Sequence, residues 1–558
     1  MAERRFHRLA DAGAAFASNA RNRSLRLAQL AFGAVWASEW GFLVGLSVVA
    51  FRDGGATAVA IVAAARMAPA ALVAPFATAL ADRVARDRVL IGACAVRAVA
   101  VGIAAALAAS EAPPATVYAL AVVATAAFTV LRPAHSALLP SLCRTPQELA
   151  SASVVRGLMD ASGTLAGPAI AALLLAFSGP AAVFAAVAAA SAWGAWAIAR
   201  IGYEPSARPA AARPRLLREA ADGFTAVTRH GDVAVIFSIA LTQIFTRGAL
   251  TVLTVVLALD VLGGHEADVG LLTSAIGAGA VVGSLATGLL ADGRDLARWD
   301  GVGAALWGLS LMLVAAFPHP AVAVACLAVI GVGNALADVG LFTLPVRIVP
   351  EALLGRVFGV FESLGALAVA AGALSASLAV HALGSRGALL AVGLITPLAV
   401  AASWPRLRRI DHGMVSRDAD IALLRRAELL RMLPLPAIEE LAVRSRVTTV
   451  ADDRQVFAEG DHGDSFYVVA GGAGEVRRGG RLVQTLRPGD GFGEIALLRD
   501  CRRMATVTAR GELVLRVLER DAFVAALTGH RPSAGAADTH VTGLLEGDAQ
   551  PAVAAPER

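Results

Sequence analysis

Twelve apolar stretches fill the first 400 or so residues of this chain, each close to the roughly 20 residues that cross a bilayer. They lie at about 27–51, 57–80, 89–110, 115–133, 153–177, 180–200, 232–259, 268–291, 301–318, 320–346, 357–380 and 386–404. Across all 558 residues, 57% are hydrophobic and mean hydropathy is +0.65. That is too apolar for an ordinary soluble protein and fits a polytopic membrane protein. The expected fold is mainly α: a twelve-span helical bundle in two six-helix halves, followed by a small cytoplasmic β-roll.

The charges sort by side. The chain contains no lysine, so its 49 basic residues are all arginine. They collect on one set of flanks: Arg21 to Arg26, Arg83 to Arg88, Arg132 and Arg144, Arg208 to Arg218, Arg294 and Arg298, Arg347 and Arg356, and Arg406 to Arg409. The alternate loops are short and contain little basic beyond Arg52 and Arg386. By the positive-inside rule both termini are cytoplasmic, in the plasma (cytoplasmic) membrane. The arginines form no continuous basic face, which argues against a nucleic-acid partner. Residues up to Arg26 are polar and basic and lack the pattern of a cleavable signal. Four separated cysteines, Cys94, Cys143, Cys326 and Cys501, have no metal spacing and suggest no disulfide framework.

The Arg/Pro/Ala-rich stretch 201–231 divides the spans six and six, and the halves echo one another. Leu80-Ala81-Asp82-Arg83-Val84-Ala85-Arg86 follows span 2, and Leu290-Ala291-Asp292-Gly293-Arg294 follows span 8. The run from Leu131 to Pro140, after span 4, parallels that from Leu344 to Pro350, after span 10. Repeated six-span halves imply a central binding cavity worked by alternating access. At these residues the chain resembles the major facilitator superfamily, particularly its drug and siderophore exporters. Asp82, Arg83 and Arg86, with Gly288 and Asp292 in the second copy, match the loop motif that latches the two halves in that family. Thr78, Ala85 and Asp87 depart from it. Gly163-Thr164-Leu165-Ala166-Gly167-Pro168 in span 5 is similar to the family's antiporter motif, with Ala171 and Ala172 where glycines are usual. The resemblance implies efflux; the residues alone also fit close helix packing through small side chains.

Ionisable groups within spans are costly and usually face a cavity or a partner. Glu39 sits mid-span 1 between Trp36 and Trp40; Arg66 is mid-span 2, Arg97 in span 3, Arg247 mid-span 7, and Asp338 in span 10, four residues after Asn334. Glu39 and Asp338 are candidates for proton coupling or for a cationic substrate, because a carboxyl in an apolar cavity can cycle a proton. The alternative is structural pairing with Arg66 or Arg247. Arg156 and Asp160, four apart in span 5, share a helix face, and with Glu362 fit a conformational latch.

Beyond Arg409 the composition changes. Residues 416–446 carry helical periodicity in two short amphipathic pieces separated by Pro434 and Pro436. From Val447 to Val517, short β-rich runs alternate with glycine turns, the pattern of a small β-roll closed by a helix over Glu519 to Leu527. The tail from His530 has the composition of a disordered segment. Gly493-Glu494-Ile495-Ala496-Leu497-Leu498-Arg499-Asp500-Cys501-Arg502-Arg503-Met504 would present backbone N–H groups to an anion, Glu494 to a sugar hydroxyl, and Arg503 to a phosphate. This stretch resembles the phosphate-binding cassette of cyclic nucleotide-binding domains, with Glu459-Gly460-Asp461, Phe466-Tyr467, Gly472 and Gly474 upstream in register. The resemblance implies Gly493, Glu494, Ala496 and Arg503 as ligand contacts for cAMP or cGMP. Arg502, where proline is common, is a second arginine able to share the phosphate, and Met504 removes a supporting hydroxyl.

The organisation expected is a basic N-terminus (1–26), six spans (27–200), a central loop (201–231), six spans (232–405), a linker (406–424), a nucleotide-binding domain (425–528) and a tail (529–558). No nucleotide-triphosphate loop or catalytic constellation stands out. The reading is a secondary transporter for a small molecule, embedded in the lipid bilayer, proton-coupled and exporting, controlled by a cyclic nucleotide and using no other cofactor or metal. Two alternatives stay open: a signalling receptor on a transporter scaffold, or an exporter whose β-roll is a non-binding interaction module. The substrate and the oligomeric state are open.

Overall fold

The computed structural model describes residues 21–83, 85–110, 112–143, 146–201, 224–225, 227–290, 295–349 and 351–528. Contacts divide the chain into two compact units, Met1–Ile410 and Asp411–Arg558.

The helices are α1 (Arg23–Arg83), α2 (Arg86–Ala109), α3 (Pro114–Thr129), α4 (Leu131–Leu142), α5 (Pro146–Ser178) and α6 (Pro180–Ala199). They continue with α7 (Gly231–Val256), α8 (Glu266–Leu290), α9 (Leu296–Ala316), α10 (Pro320–Ile348) and α11 (Glu351–Leu424). Among the described residues, ten helical stretches are long and apolar enough to cross a membrane. Two helices are far too long for one crossing: α1 has 61 residues and α11 has 74, against about 20 for a bilayer. Each is broken by non-helical backbone, at Gly54–Gly55 and at Gly384, and so divides into two spans. With those divisions the helices supply the twelve expected spans.

Helix continues past the expected end of span 4: the run from Leu131 forms α4, which follows α3 after Val130. Pro133 is tolerated because it lies in the first turn, where its missing N–H has no helical partner. The parallel run from Leu344 is likewise helical as far as Ile348.

One apolar core runs through both halves, from Phe42, Val48 and Val59 through Leu250, Val256 and Leu272 to Ala373 and Leu389. The same end carries polar ties between the halves. Arg52 ion-pairs with Glu266. Thr57 meets His381 at 3.5 Å and accepts from Ser377 at 3.4 Å. A second core, built from Leu25, Phe32, Leu90, Leu138 and Ile198, belongs to the N-terminal half alone.

Gly163, Gly167 and Pro168 of α5 pack between span 1 and α8. A Cβ on Gly163 would lie 2.8 Å from Trp36, and one on Gly167 only 2.1 Å from the Ala37 carbonyl oxygen. The opposite face meets α8, where a Cβ on Gly270 would lie 2.7 Å from the Pro168 carbonyl oxygen. Close backbone approach through small residues is how helices associate where lipid offers no hydrophobic drive.

In the second unit, a 3₁₀ turn (Glu428–Leu430) and α12 (Leu435–Arg444) precede the strands. Pro434 caps α12 and Pro436 lies in its first turn, so the second proline starts the helix rather than separating two. Strands β1 (Arg446–Val450), β2 (Gln455–Phe457), β3 (Ser465–Arg478), β4 (Arg481–Leu486), β5 (Gly491–Phe492) and β6 (Thr506–Glu519) form one antiparallel sheet. Its order is β1-β6-β3-β4, with β2 on β6 and β5 on β3. The helix α14 (Arg520–Thr528) closes it, stacking Phe523 on Phe466 at 4.3 Å, and the short α13 (Glu494–Leu498) holds the cassette. Antiparallel pairing sets Ser465, at the start of β3, opposite Glu519, at the end of β6, and Arg477 opposite Thr506.

Gly167→Leu should force α5 away from span 1. Overpacking costs about 1–3 kcal/mol, so the purified variant should show a clearly lower melting temperature in detergent and a smaller folded fraction by size exclusion. Gly355→Ala, at a helical position with open space around its Cβ, should match the wild type.

Candidate functional site

The β-roll holds one candidate site. Gly493 has φ +92°, in the left-handed region, and starts α13 at the mouth of the roll. Beside it the Arg503 guanidinium donates to two backbone carbonyls: Nη1 to Gly493 at 2.7 Å and Nη2 to Ser465 at 2.7 Å. Its face lies 4.2 Å from the Phe457 ring centroid, and Tyr467 follows at 5.7 Å. Tyr467 in turn stacks on Phe492 at 5.1 Å. Arg503 is 3% exposed although it carries a full charge, and its Nε has no hydrogen-bond partner. Burial pulls its pKa below the ordinary guanidinium value, opposed by Tyr467, Asp464, Glu494 and Asp461. Glu494 and Ala496 are buried in α13. A buried cation held by carbonyls and aromatic faces, next to the left-handed turn at Gly493 that starts a helix, is an arrangement suited to an anion.

Arg502 does not join it. Its Nη1 donates to the Gly460 carbonyl at 2.8 Å, and its backbone bridges to His462. Neighbours in an extended segment point to opposite sides, so only one of the two arginines reaches the Gly493 carbonyl. Glu475, on β3, bridges Arg477 at 2.9 Å and Arg510 at 2.5 Å. These hydrogen bonds depress its pKa below the ordinary carboxylate value.

The membrane unit carries its own buried ionisable groups. Glu39 is not solvated in a cavity. Its Oε1 accepts from Arg66 at 2.7 Å, and its Oε2 meets Arg97 at 2.9 Å. Arg66 also donates to Thr125 at 2.7 Å. Arg97, wholly buried, has its guanidinium 4.9 Å from the centroid of Phe128 and 5.9 Å from that of Phe42. Of the partners considered from sequence, Arg66 is used and Arg247 is not; the second partner, Arg97, was missed. Its seven-residue-scale neighbours are apolar, and only its depth in span 3 signalled that it needs a carboxylate.

Arg156 and Asp160 lie within each other's electrostatic reach, and each also contacts α4. Asp160 pairs with Arg132 of α4 at 3.7 Å, and Arg156 donates to Ser136 of α4 at 3.3 Å. The helical extension of span 4, absent from the sequence reading, carries both partners. In the C-terminal half Asp338 accepts from Asn334 at 2.8 Å. Arg247 is exposed in α7, and Glu362 is exposed in α11. Asp300 of α9, not singled out from sequence, is fully buried with both carboxyl oxygens unpartnered.

Of the latch residues, Arg86 bonds the Ala137 carbonyl of its own half, not the other half. Asp82 and Arg83 close α1 and Gly288 lies in α8, with side-chain surroundings outside the described part. Asp292 lies outside the described residues.

These features define a multi-span helical membrane protein carrying a cyclic nucleotide-binding domain. The Major Facilitator Superfamily model matches residues 29–373 and again 235–436, and the chain belongs to that family. The cyclic nucleotide-binding domain model matches residues 447–530. The cAMP-dependent protein kinase regulatory subunit of Yarrowia lipolytica is 49% identical over 70 residues, 12% of this chain and 19% of that protein. An uncharacterised protein of Mycobacterium tuberculosis (strain H37Rv) is 35% identical over 151 residues, 25% of this chain and 28% of the relative. Among solved structures, the regulatory domain of Toxoplasma gondii PKA with cAMP is 30% identical with a TM-score of 0.19, covering 20% of this chain and 44% of that one. The chain thus spans less than a third of the length of these curated relatives.

Two outcomes test the geometry. Glu39→Ala leaves two buried guanidiniums without their carboxylate, which costs about 3–5 kcal/mol; it should abolish stable purified protein, whereas Asp338→Asn, at a half-exposed amide-bonded position, should retain it. Glu475 titrates low when folded, so its ion pairs stabilise above the unfolded carboxylate range and lose that effect as pH falls through the depressed folded value. The melting-temperature gap between wild type and Glu475→Gln should therefore be widest at neutral pH and close on acidification.

Proposed function

We propose that this protein is a secondary transporter of the plasma (cytoplasmic) membrane that exports a small organic molecule by proton coupling and is regulated by cAMP or cGMP. Both termini are cytoplasmic in this reading. The observation that carries the regulatory part is the Arg503 guanidinium, buried and fixed between the Gly493 and Ser465 carbonyls beside the cassette turn. In this reading Arg503 takes the cyclic phosphate, the Gly493 turn and the Ala496 N–H support it, and Glu494 accepts from the ribose hydroxyl. Arg502 is left out of the contact set because it is committed to Gly460.

The membrane half supports alternating access. Residues 52, 57, 266 and 381 tie the halves together at one end, where a shared core continues between them. By the arginine topology that end is outside, so the conformation is closed to the exterior. Asp338, half-exposed in α10, is the residue we assign to proton coupling; Glu39 is assigned a structural role because both its oxygens are held. Nucleotide binding biases the equilibrium between outward and inward states, which requires a reciprocal coupling free energy between nucleotide and substrate.

Calorimetric titration of cAMP and cGMP into the purified full-length protein tests this. The wild type should bind one of them. Arg503→Ala should weaken binding about ten- to a hundredfold, the value of charge-assisted hydrogen bonds, and Arg502→Ala should change it little. A wild type that binds neither nucleotide sinks the regulatory reading.

A further inference from the structure

Asp300, near the start of α9, is fully buried, and neither of its carboxyl oxygens has a hydrogen-bond partner. The packing around it is tight. A Cβ on Gly340 of α10 would lie 2.6 Å from the Asp300 Cβ, and one on Gly303, a turn further along α9, would lie 2.7 Å from the Ala337 nitrogen. On the other side Gly301 meets Leu407, Val400 and Trp404 of the last span, all apolar. Asp338 lies between Ala337 and Gly340, within the stretch of α10 that this turn of α9 packs against. The charged group that acts on Asp300 is therefore a second carboxylate and not a cation. Glu39 is buried to a similar degree but is met by two guanidiniums.

A carboxylate with neither water nor a partner is among the most costly groups to bury, and a like charge beside it adds to the cost. The neutral acid avoids both penalties, so Asp300 holds a proton. Its depth gives that proton a direction. Contacts of 300 with 340 and of 303 with 337 make α9 and α10 antiparallel. α9 starts at Leu296 on the arginine-rich flank, so Asp300 lies four residues, or about 6 Å, inside that end. α10 runs toward the same flank and ends at Ile348, ten residues or about 15 Å beyond Asp338. Asp300 thus lies between Asp338 and the cytoplasmic end of the bundle.

We propose that Asp300 is a second proton carrier, a neutral carboxylic acid that passes protons from Asp338 toward the cytoplasm. The inference rests on the reading of Asp338 as the proton-coupling residue. When the inner side opens, the Asp300 O–H releases its proton to water. The carboxylate left behind takes the proton held by Asp338, whose anion is then ready to be reloaded from outside. Each step breaks one O–H bond and forms another, and no electrons are transferred. The pair never holds more than one negative charge, which is the condition for two carboxyls to share a dry site.

Infrared spectroscopy of the full-length protein in liposomes at neutral pH tests this without a transported substrate. The wild type should show the C=O band of a protonated carboxylic acid, sensitive to exchange into D2O, and Asp300→Asn should remove it. Asp338→Asn should keep the band and displace its frequency, because the neighbouring charge is gone. Asp300→Asn exchanges one neutral group for another, so it should purify and melt like the wild type; a large destabilisation would mean that Asp300 is ionised and paired, and would overturn the proposal. So would a wild type without the band, or a band that survives Asp300→Asn. A band unmoved by Asp338→Asn would leave a buried acid with no link to Asp338 and would overturn the relay. None of these failures touches the transport reading itself, which stands or falls on flux.

Discussion

Hydrocarbon cannot solvate a charge, and the membrane unit is organised around that fact. Its apolar helices satisfy their own backbone, but a carboxylate or guanidinium at mid-depth must find a partner or water. Glu39 shows the first solution: two arginines from two other spans close on its two oxygens, and the rings of Phe42 and Phe128 cover the guanidinium faces. Three spans are thereby fixed to one point. The cluster sets the register of spans 1, 2 and 3, because sliding any one of them by a turn would strand a charge. Small residues then fix how closely the neighbours approach, as Gly163 and Gly167 do against span 1.

The β-roll buries a cation under different terms. Arg503 has no carboxylate at bonding distance; it is held by two neutral carbonyls and a ring face. Carbonyls orient a guanidinium without cancelling its charge, so the positive potential survives for use. A close carboxylate would have filled that role permanently, as Asp420 does for Arg516 elsewhere in the same unit. The contrast between Glu39 and the carbonyls of Gly493 and Ser465 separates cations paired with a carboxylate from one held by neutral oxygens.

The chain made some of this legible in advance and hid the rest for physical reasons. Span count and the two halves follow from hydropathy, because each span must carry its own apolar length. The kinks at Gly54–Gly55 and Gly384 are where hydropathy and helix assignment part company. The cassette was legible because its function needs particular residues at fixed spacing along one stretch. Contacts between helices were not. Arg97 could be placed in span 3 but not assigned to Glu39, and the contacts of Asp160 and Arg156 with α4 could not be foreseen. Helical periodicity reports which residues share a face; it does not report what that face meets.

The same distinction between cancelled and preserved charge orders the arginines of the membrane unit. Arg66 and Arg97 are consumed by Glu39 and are buried. Arg132 and Arg247 are exposed, and Arg132 meets Asp160 only at a long 3.7 Å. Arg132 and Asp160 both lie in the N-terminal half, on α4 and α5, and Arg156 joins the same two helices through Ser136. An exposed pair of this kind ties neighbouring helices at little cost, whereas breaking the buried Glu39 cluster would strand two guanidiniums.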